Sequence, residues 1–301
     1  MKTFSLPASS DGIMLSVAVF ETSSEPKGIF QIVHGMAEHK ERYYHFLERL
    51  AEEGYVAIIG DIRGHGGSVR ADDDLGFLYD GGFIGMVEDV RVIMDWALGE
   101  YGAGLPVTLF GHSMGSMIVR SFTKRYDCKL SRLIVCGSPS DNPVKGVGLA
   151  IARAIGALLG PRHRSALLNL MSFGAYNKPF ASEGDFAWLS RNRANAKAYI
   201  ADPLCGYCFT ANGFKGLLEL MCDCYGSKGW AMARPGLPVL FISGADDPCR
   251  GDDKAFSAAV DFMKSRGYVN TSSILYPGLR HEILLESEAP IVIEDIINWM
   301  V

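Results

Sequence analysis

Leu105-Pro106-Val107-Thr108-Leu109-Phe110-Gly111-His112-Ser113-Met114-Gly115-Ser116-Met117-Ile118-Val119-Arg120-Ser121-Phe122 is the stretch that decides the fold. An apolar run reads as a strand, Gly111 to Gly115 as a tight turn, and the remainder as a helix. Strand, turn with serine at its tip, and helix together make a nucleophile elbow. A serine on so sharp a turn is driven into strained backbone, and flanking glycines let strand and helix approach. The hydroxyl is left exposed at the carboxyl end of a strand with a helix N-terminus beneath it. The five-residue pattern is weak by itself; the strand before it and the helix after it make it specific.

Outward from this turn, further strand-like runs precede turn signals at 13–19, 29–33, 56–59, 133–135, 239–242 and 273–275. Helical stripes lie between them: Tyr44, Leu47, Leu50 and Ala51 form one, and Phe83, Val87, Val90, Met94 and Ala97 another. Alternation of the two predicts an α/β protein with a mostly parallel sheet covered on both faces. The alternation stops after Ser140 and resumes near Pro235, which predicts a helical insertion. The expected organisation is a core over 1–139, an inserted helical cap over 140–233, and the rest of the core over 234–301. Within the cap, apolar residues between Val147 and Leu159 recur at helical spacing. They are read as a helix packed on the body, with contact to an acyl chain or transiently to a membrane surface as the functional alternative.

The 301 residues, 48% hydrophobic, suffice for one large core, and no apolar run approaches the roughly 18 residues needed to span a bilayer. The first ten residues have no sustained apolar segment, so a cytoplasmic location is expected. Nothing resembles a nucleic-acid-binding module. The net charge of −5 is uneven: positions 141–230 hold ten Lys/Arg against six Asp/Glu, and the remainder 19 against 28. Such a cap is read as an ordinary solvated surface, with attraction for anionic substrates as the sharper alternative. Cys205, Cys208, Cys222 and Cys224 admit a four-thiolate zinc reading. Tight spacing and apolar surroundings favour buried free thiols, so no metal and no cofactor is expected.

A serine hydroxyl needs a base, and the base needs a carboxylate to fix its tautomer. In elbow-bearing folds these follow in the order serine, acid, histidine. Asp247 and its runner-up Asp246 lie just after one predicted strand, and His281 just after the next. The expected catalytic set is Ser113, Asp247 and His281. The N–H groups of Met36 and Met114 are expected to form an oxyanion hole. His65 reads as a turn histidine, His39 and His45 as surface or helix-face residues, and His112 as packing beside the elbow.

Five stretches occur in order: Val33-His34-Gly35-Met36-Ala37-Glu38-His39, Asp61-Ile62-Arg63-Gly64-His65-Gly66-Gly67-Ser68, Gly111 to Gly115, Ser243-Gly244-Ala245-Asp246-Asp247-Pro248, and Arg280-His281-Glu282. With them the chain resembles, over nearly its whole length, the α/β-hydrolase family of monoacylglycerol lipases and lysophospholipases, also labelled serine aminopeptidase-like. The segment Tyr199-Ile200-Ala201-Asp202-Pro203-Leu204-Cys205-Gly206 resembles the cap of bacterial members. The resemblance implies a cofactor-free esterase with a serine-histidine-aspartate triad, acting on a small acyl ester such as a monoacylglycerol or lysophospholipid. The same architecture hosts peptidases, arylesterases and thioesterases, and also non-catalytic binding proteins.

Overall fold

The computed structural model describes residues 1–301. In chain order the elements are β1 (Lys2–Pro7), β2 (Met14–Phe20), β3 (Gly28–Val33), α1 (Tyr44–Glu52), β4 (Tyr55–Gly60), α2 (Gly82–Tyr101), β5 (Val107–His112), α3 (Met114–Tyr126) and β6 (Arg132–Cys136). Then come α4 (Lys145–Leu159), α5 (Ala166–Phe173), α6 (Arg193–Ala201), α7 (Ala211–Cys224), β7 (Val239–Gly244), α8 (Asp253–Ser265), β8 (Thr271–Tyr276) and α9 (Ala289–Met300). One eight-stranded sheet runs β1-β2-β4-β3-β5-β6-β7-β8. β2 lies antiparallel to both its neighbours, and every other pair is parallel.

Every residue of β3, β4, β5 and β7 is buried, as the unbroken apolar runs require of strands covered on both faces. Alternate side chains divide between two cores because the strand period is two. Val239 and Phe241 join a cluster of 44 buried residues with α2, α3 and α8, while Leu240 and Ile242 join one of 25 with α1 and α9. β1 is absent from the sequence reading for a physical reason. It is an edge strand with only Leu6 buried, and backbone pairing with β2 holds it, from Lys2 opposite Val19 to Pro7 opposite Met14.

Helices α4 to α7 occupy the excursion between β6 and β7. α7 packs against α3 and α2 and places Phe214, Leu217 and Leu220 in the larger core, so cap and sheet share one hydrophobic interior. α4 lies on α7 and buries only Gly148 and Ala152; Val147, Leu158 and Leu159 are exposed. No helix is long and apolar enough to cross a membrane. The cysteines are all free, and no group of four thiols comes together: Cys205 and Cys208 lie between α6 and α7, and Cys222 and Cys224 on α7.

Candidate active site

Ser113 sits between β5 and α3 at φ 53° and ψ −119°, a left-handed conformation for a residue with a Cβ. Such strain costs about 1–3 kcal/mol and persists only where the surroundings enforce it. They do so by crowding. A Cβ at Gly111 would strike the carbonyl oxygen of Gly115, and one at Gly115 would strike that of Val33. The turn is further tied by the Ser113 N–H, which donates to the Cys136 carbonyl at 3.0 Å.

The loops after β7 and β8 bring Asp247 and His281 together. His281 Nδ1–H donates to Asp247 Oδ2 at 3.0 Å, which leaves Nε2 as the basic nitrogen. Asp247 is held by the Cys249 N–H on Oδ1 at 2.8 Å and by the Ser243 hydroxyl on Oδ2 at 2.9 Å. Asp246, the runner-up in the sequence, is exposed. Burial alone would raise the Asp247 carboxyl and lower the His281 imidazole; their mutual attraction wins, so Asp247 is held below the usual carboxylate range and His281 above 6.5. The indole of Trp188, from the cap, lies over the His281 ring with centroids 5.0 Å apart.

Ser113, His281, Met36 and Met114 all line one cavity of about 240 Å³ between the sheet edge and the cap. Its apolar wall includes Phe173, Tyr176, Trp188, Leu217, Leu218 and Met221. Of the stretch between Val147 and Leu159, only Gly148 reaches it. The other α4 contribution is Lys145, the sole Lys or Arg of the lining, and its ammonium pairs with Asp141 at 2.5 Å. Four of the other nine cap cations are also engaged with carboxylates or carbonyls, whereas Lys178, Arg193, Lys197, Lys215 and Lys228 hold no such partner. Arg153 pairs with Glu219, Arg162 with Asp74, Arg191 with Glu288, and Arg164 donates to the carbonyls of Asp73 and Leu75. The basic excess is thus held in struts only in part, and the one cation that lines the cavity is already paired.

The loop carrying Met36 rests on a buried polar network that the sequence did not announce. Glu38 Oε1 accepts from the Gly35 N–H at 2.5 Å and from the Tyr43 hydroxyl at 2.9 Å. Arg42 donates to Glu38 at 2.6 Å and grips both oxygens of Glu282 at 2.6 and 2.7 Å. Asn195 of α6 bonds both Arg42 and Glu282, at 3.1 and 2.6 Å. Burial disfavours the charge on Glu38, but the hydrogen bond with His112 and the Arg42 guanidinium hold its carboxyl well below its ordinary range. His112 in turn bonds the His281 carbonyl through Nε2 at 3.2 Å. One arginine thus joins the loop after β3, the His281 loop and the cap. Replacing Arg42 by Met leaves two buried carboxylates uncompensated and is expected to destabilise the fold by about 3–5 kcal/mol, read as a lower midpoint in urea denaturation. An unchanged midpoint would show the network to be dispensable.

Of the remaining histidines, His65 is the turn residue expected, its Nδ1–H donating to the Arg63 carbonyl at 3.1 Å. His34 Nδ1–H donates to the Gly35 carbonyl at 2.8 Å. Burial lowers His34 to about 4 and His65 to about 3, so both are neutral. His45 is exposed on α1. His39 differs from the sequence expectation of a surface residue: it is buried, between Glu41 and Asp202, because the cap closes over it.

Two antiparallel strands leading into a parallel sheet, with the serine turn after β5 and the acid and histidine after β7 and β8, form the α/β-hydrolase fold, and the chain is a serine hydrolase. It belongs to the serine aminopeptidase family S33, which matches residues 24–288. It is 28% identical over 296 residues to a monoacylglycerol lipase of Mycolicibacterium smegmatis, covering 96% of this chain and 94% of that one. It is 25% identical over 291 residues to the monoglyceride lipase of Homo sapiens, covering 96% and 86%. A highly thermostable carboxyl esterase from Bacillus coagulans, 23% identical, shares the fold with a TM-score of 0.90 over 99% of this chain and 97% of that one.

Proposed function

We propose that the chain hydrolyses carboxylic esters of single-chain acyl lipids, monoacylglycerols foremost, through Ser113, His281 and Asp247. The observation that carries this reading is an apolar cavity with the strained serine and the histidine of the Asp247 pair both in its wall. Ser113 Oγ attacks the ester carbonyl while His281 Nε2 takes its proton. Asp247 stabilises the resulting imidazolium. The N–H groups of Met36 and Met114 receive the developing oxyanion. His281 then protonates the leaving alcohol, which departs as glycerol and leaves an acyl-serine. Water, deprotonated by the same imidazole, releases the fatty acid.

The cavity speaks against two neighbouring chemistries. An aminopeptidase needs a free carboxylate for the substrate ammonium, and the acids in the lining, Glu38 and Glu282, are both committed to Arg42. An anionic lysophospholipid needs a free cation, and Lys145 is already paired with Asp141. An uncharged head group such as glycerol suits this lining best. The test is hydrolysis of monoacylglycerols across acyl lengths, beside lysophosphatidate, aryl esters and amino-terminal peptide substrates, with Ser113→Ala protein as the blank. Serine-dependent turnover with a chain-length optimum and little salt dependence is expected. Faster turnover of peptides or of the anionic lipid would overturn the substrate assignment.

A further inference from the structure

A second group of reactive side chains lies away from Ser113, at the seam between the loop after β3 and the end of α6. His39, Asp202 and Cys205 bring an imidazole nitrogen, a carboxylate oxygen and a sulfur within 4.8 Å of one another. His39 and Cys205 are buried, and Asp202, with a third of its side chain exposed, leaves an access route from solvent. We propose that this triplet binds a divalent transition-metal ion, zinc foremost, which ties the cap to the loop bearing Met36.

Nitrogen, sulfur and carboxylate donors in one set match the borderline-soft preference of zinc over magnesium or calcium. The surroundings orient each donor. Glu41 Oε2 lies 2.5 Å from His39 Nδ1, the outer carboxylate that metal-bound histidines commonly carry, and it turns Nε2 toward Asp202. Asp202 Oδ1 is occupied by the Leu204 N–H at 2.8 Å, so Oδ2 faces His39 Nε2, also at 2.8 Å. Zinc bonds of about 2.0–2.3 Å set donors roughly 3.2–3.8 Å apart, so this pair needs to open by under about 1 Å. Water completes the fourth position. Zinc displaces the proton that otherwise joins His39 to Asp202, together with the thiol proton of Cys205, and its uptake therefore releases protons.

The place of the site says what it would do. Ala37, between Met36 and Glu38, already accepts through its carbonyl from the Tyr199 hydroxyl at 3.0 Å and from the Gly206 N–H at 2.9 Å. A metal on His39, Asp202 and Cys205 replaces the His39–Asp202 hydrogen bond, the third tie across the same seam, with coordination that also takes in Cys205. A second grouping, Asp247, Cys249 and His281, also brings its donor atoms within 4.8 Å of one another. There the histidine and aspartate are bonded to each other in the proposed catalytic set, and a metal would sequester the base.

The experiment separates the two groupings. Full-length protein stripped with a chelator is loaded with zinc or cobalt(II), dialysed, and its bound metal counted. One ion per chain, a higher Tm with zinc, and a thiolate-to-cobalt charge-transfer band are expected. All three should be lost in Cys205→Ala and Asp202→Asn and kept in Cys249→Ala. Wild-type protein that retains no metal overturns the proposal, as does metal kept in Cys205→Ala and lost in Cys249→Ala. Should the seam variants fail to fold, the cobalt protein decides: a thiolate band present in both wild type and Cys249→Ala supports the site, and a band missing from either overturns it.

Discussion

Ser113→Ala is expected to lower kcat for ester hydrolysis by on the order of 10⁴- to 10⁶-fold while leaving the protein folded. Without Oγ there is no acyl-enzyme, and what remains is the contribution of the oxyanion donors and of substrate binding. Folding should be preserved, because alanine keeps the same Cβ at φ 53° and the fold draws its ties at this turn from the Ser113 backbone N–H. Two measurements check this: steady-state hydrolysis of a monoacylglycerol, and labelling by a fluorophosphonate. Loss of both is expected. Near-normal turnover in Ser113→Ala would remove the nucleophile from the mechanism and redirect attention to the other side chains of the cavity.

Asp247→Asn is expected to cost about 10⁴ in kcat and to move the pH profile. The base must be neutral to accept the serine proton, so activity in the wild type rises with pH through the His281 pKa. Burial pulls that pKa down and the Asp247 charge more than restores it, placing the acidic limb above about 6.5. With the charge removed, burial prevails and the imidazolium is destabilised. The limb should then shift to lower pH even as the plateau falls. A plain scaffolding role for Asp247 would lower the plateau and leave the limb in place, so kcat/KM measured between pH 4 and 9 distinguishes the two (the range spans the free imidazole value of about 6.5). Stability carries the same linkage. The low Asp247 pKa and the raised His281 pKa make the pair's contribution largest between the two, lost on the acid side as the carboxylate protonates and on the alkaline side as the imidazole deprotonates.

Local chemistry made much of this protein legible from its residue order. Unbroken apolar runs such as 107–110 and 239–242 announce strands buried on both faces, because only a two-sided cover tolerates them. Gly111 and Gly115 announce a turn too tight for a Cβ. The order of Ser113, Asp247 and His281 follows from the sheet topology, which delivers all three to the carboxyl ends of their strands. What stayed hidden depends on partners far away in the chain. β1 is a strand only because β2 pairs with it. Arg42 is ordinary in its own turn and becomes a hub only when Glu282, 240 residues on, and Asn195 meet it in the interior. His39 reads as a surface histidine until Asp202 closes over it, 163 residues later. The cap's basic excess, read as a solvated surface, is in part tied into ion pairs once folded, with Arg153, Arg162 and Arg191 each holding a carboxylate. Periodicity and turn chemistry act over a few residues and so can be read in order along the chain. Buried charge pairing is a property of the assembled interior, where low dielectric obliges each charge to find its partner across the whole chain.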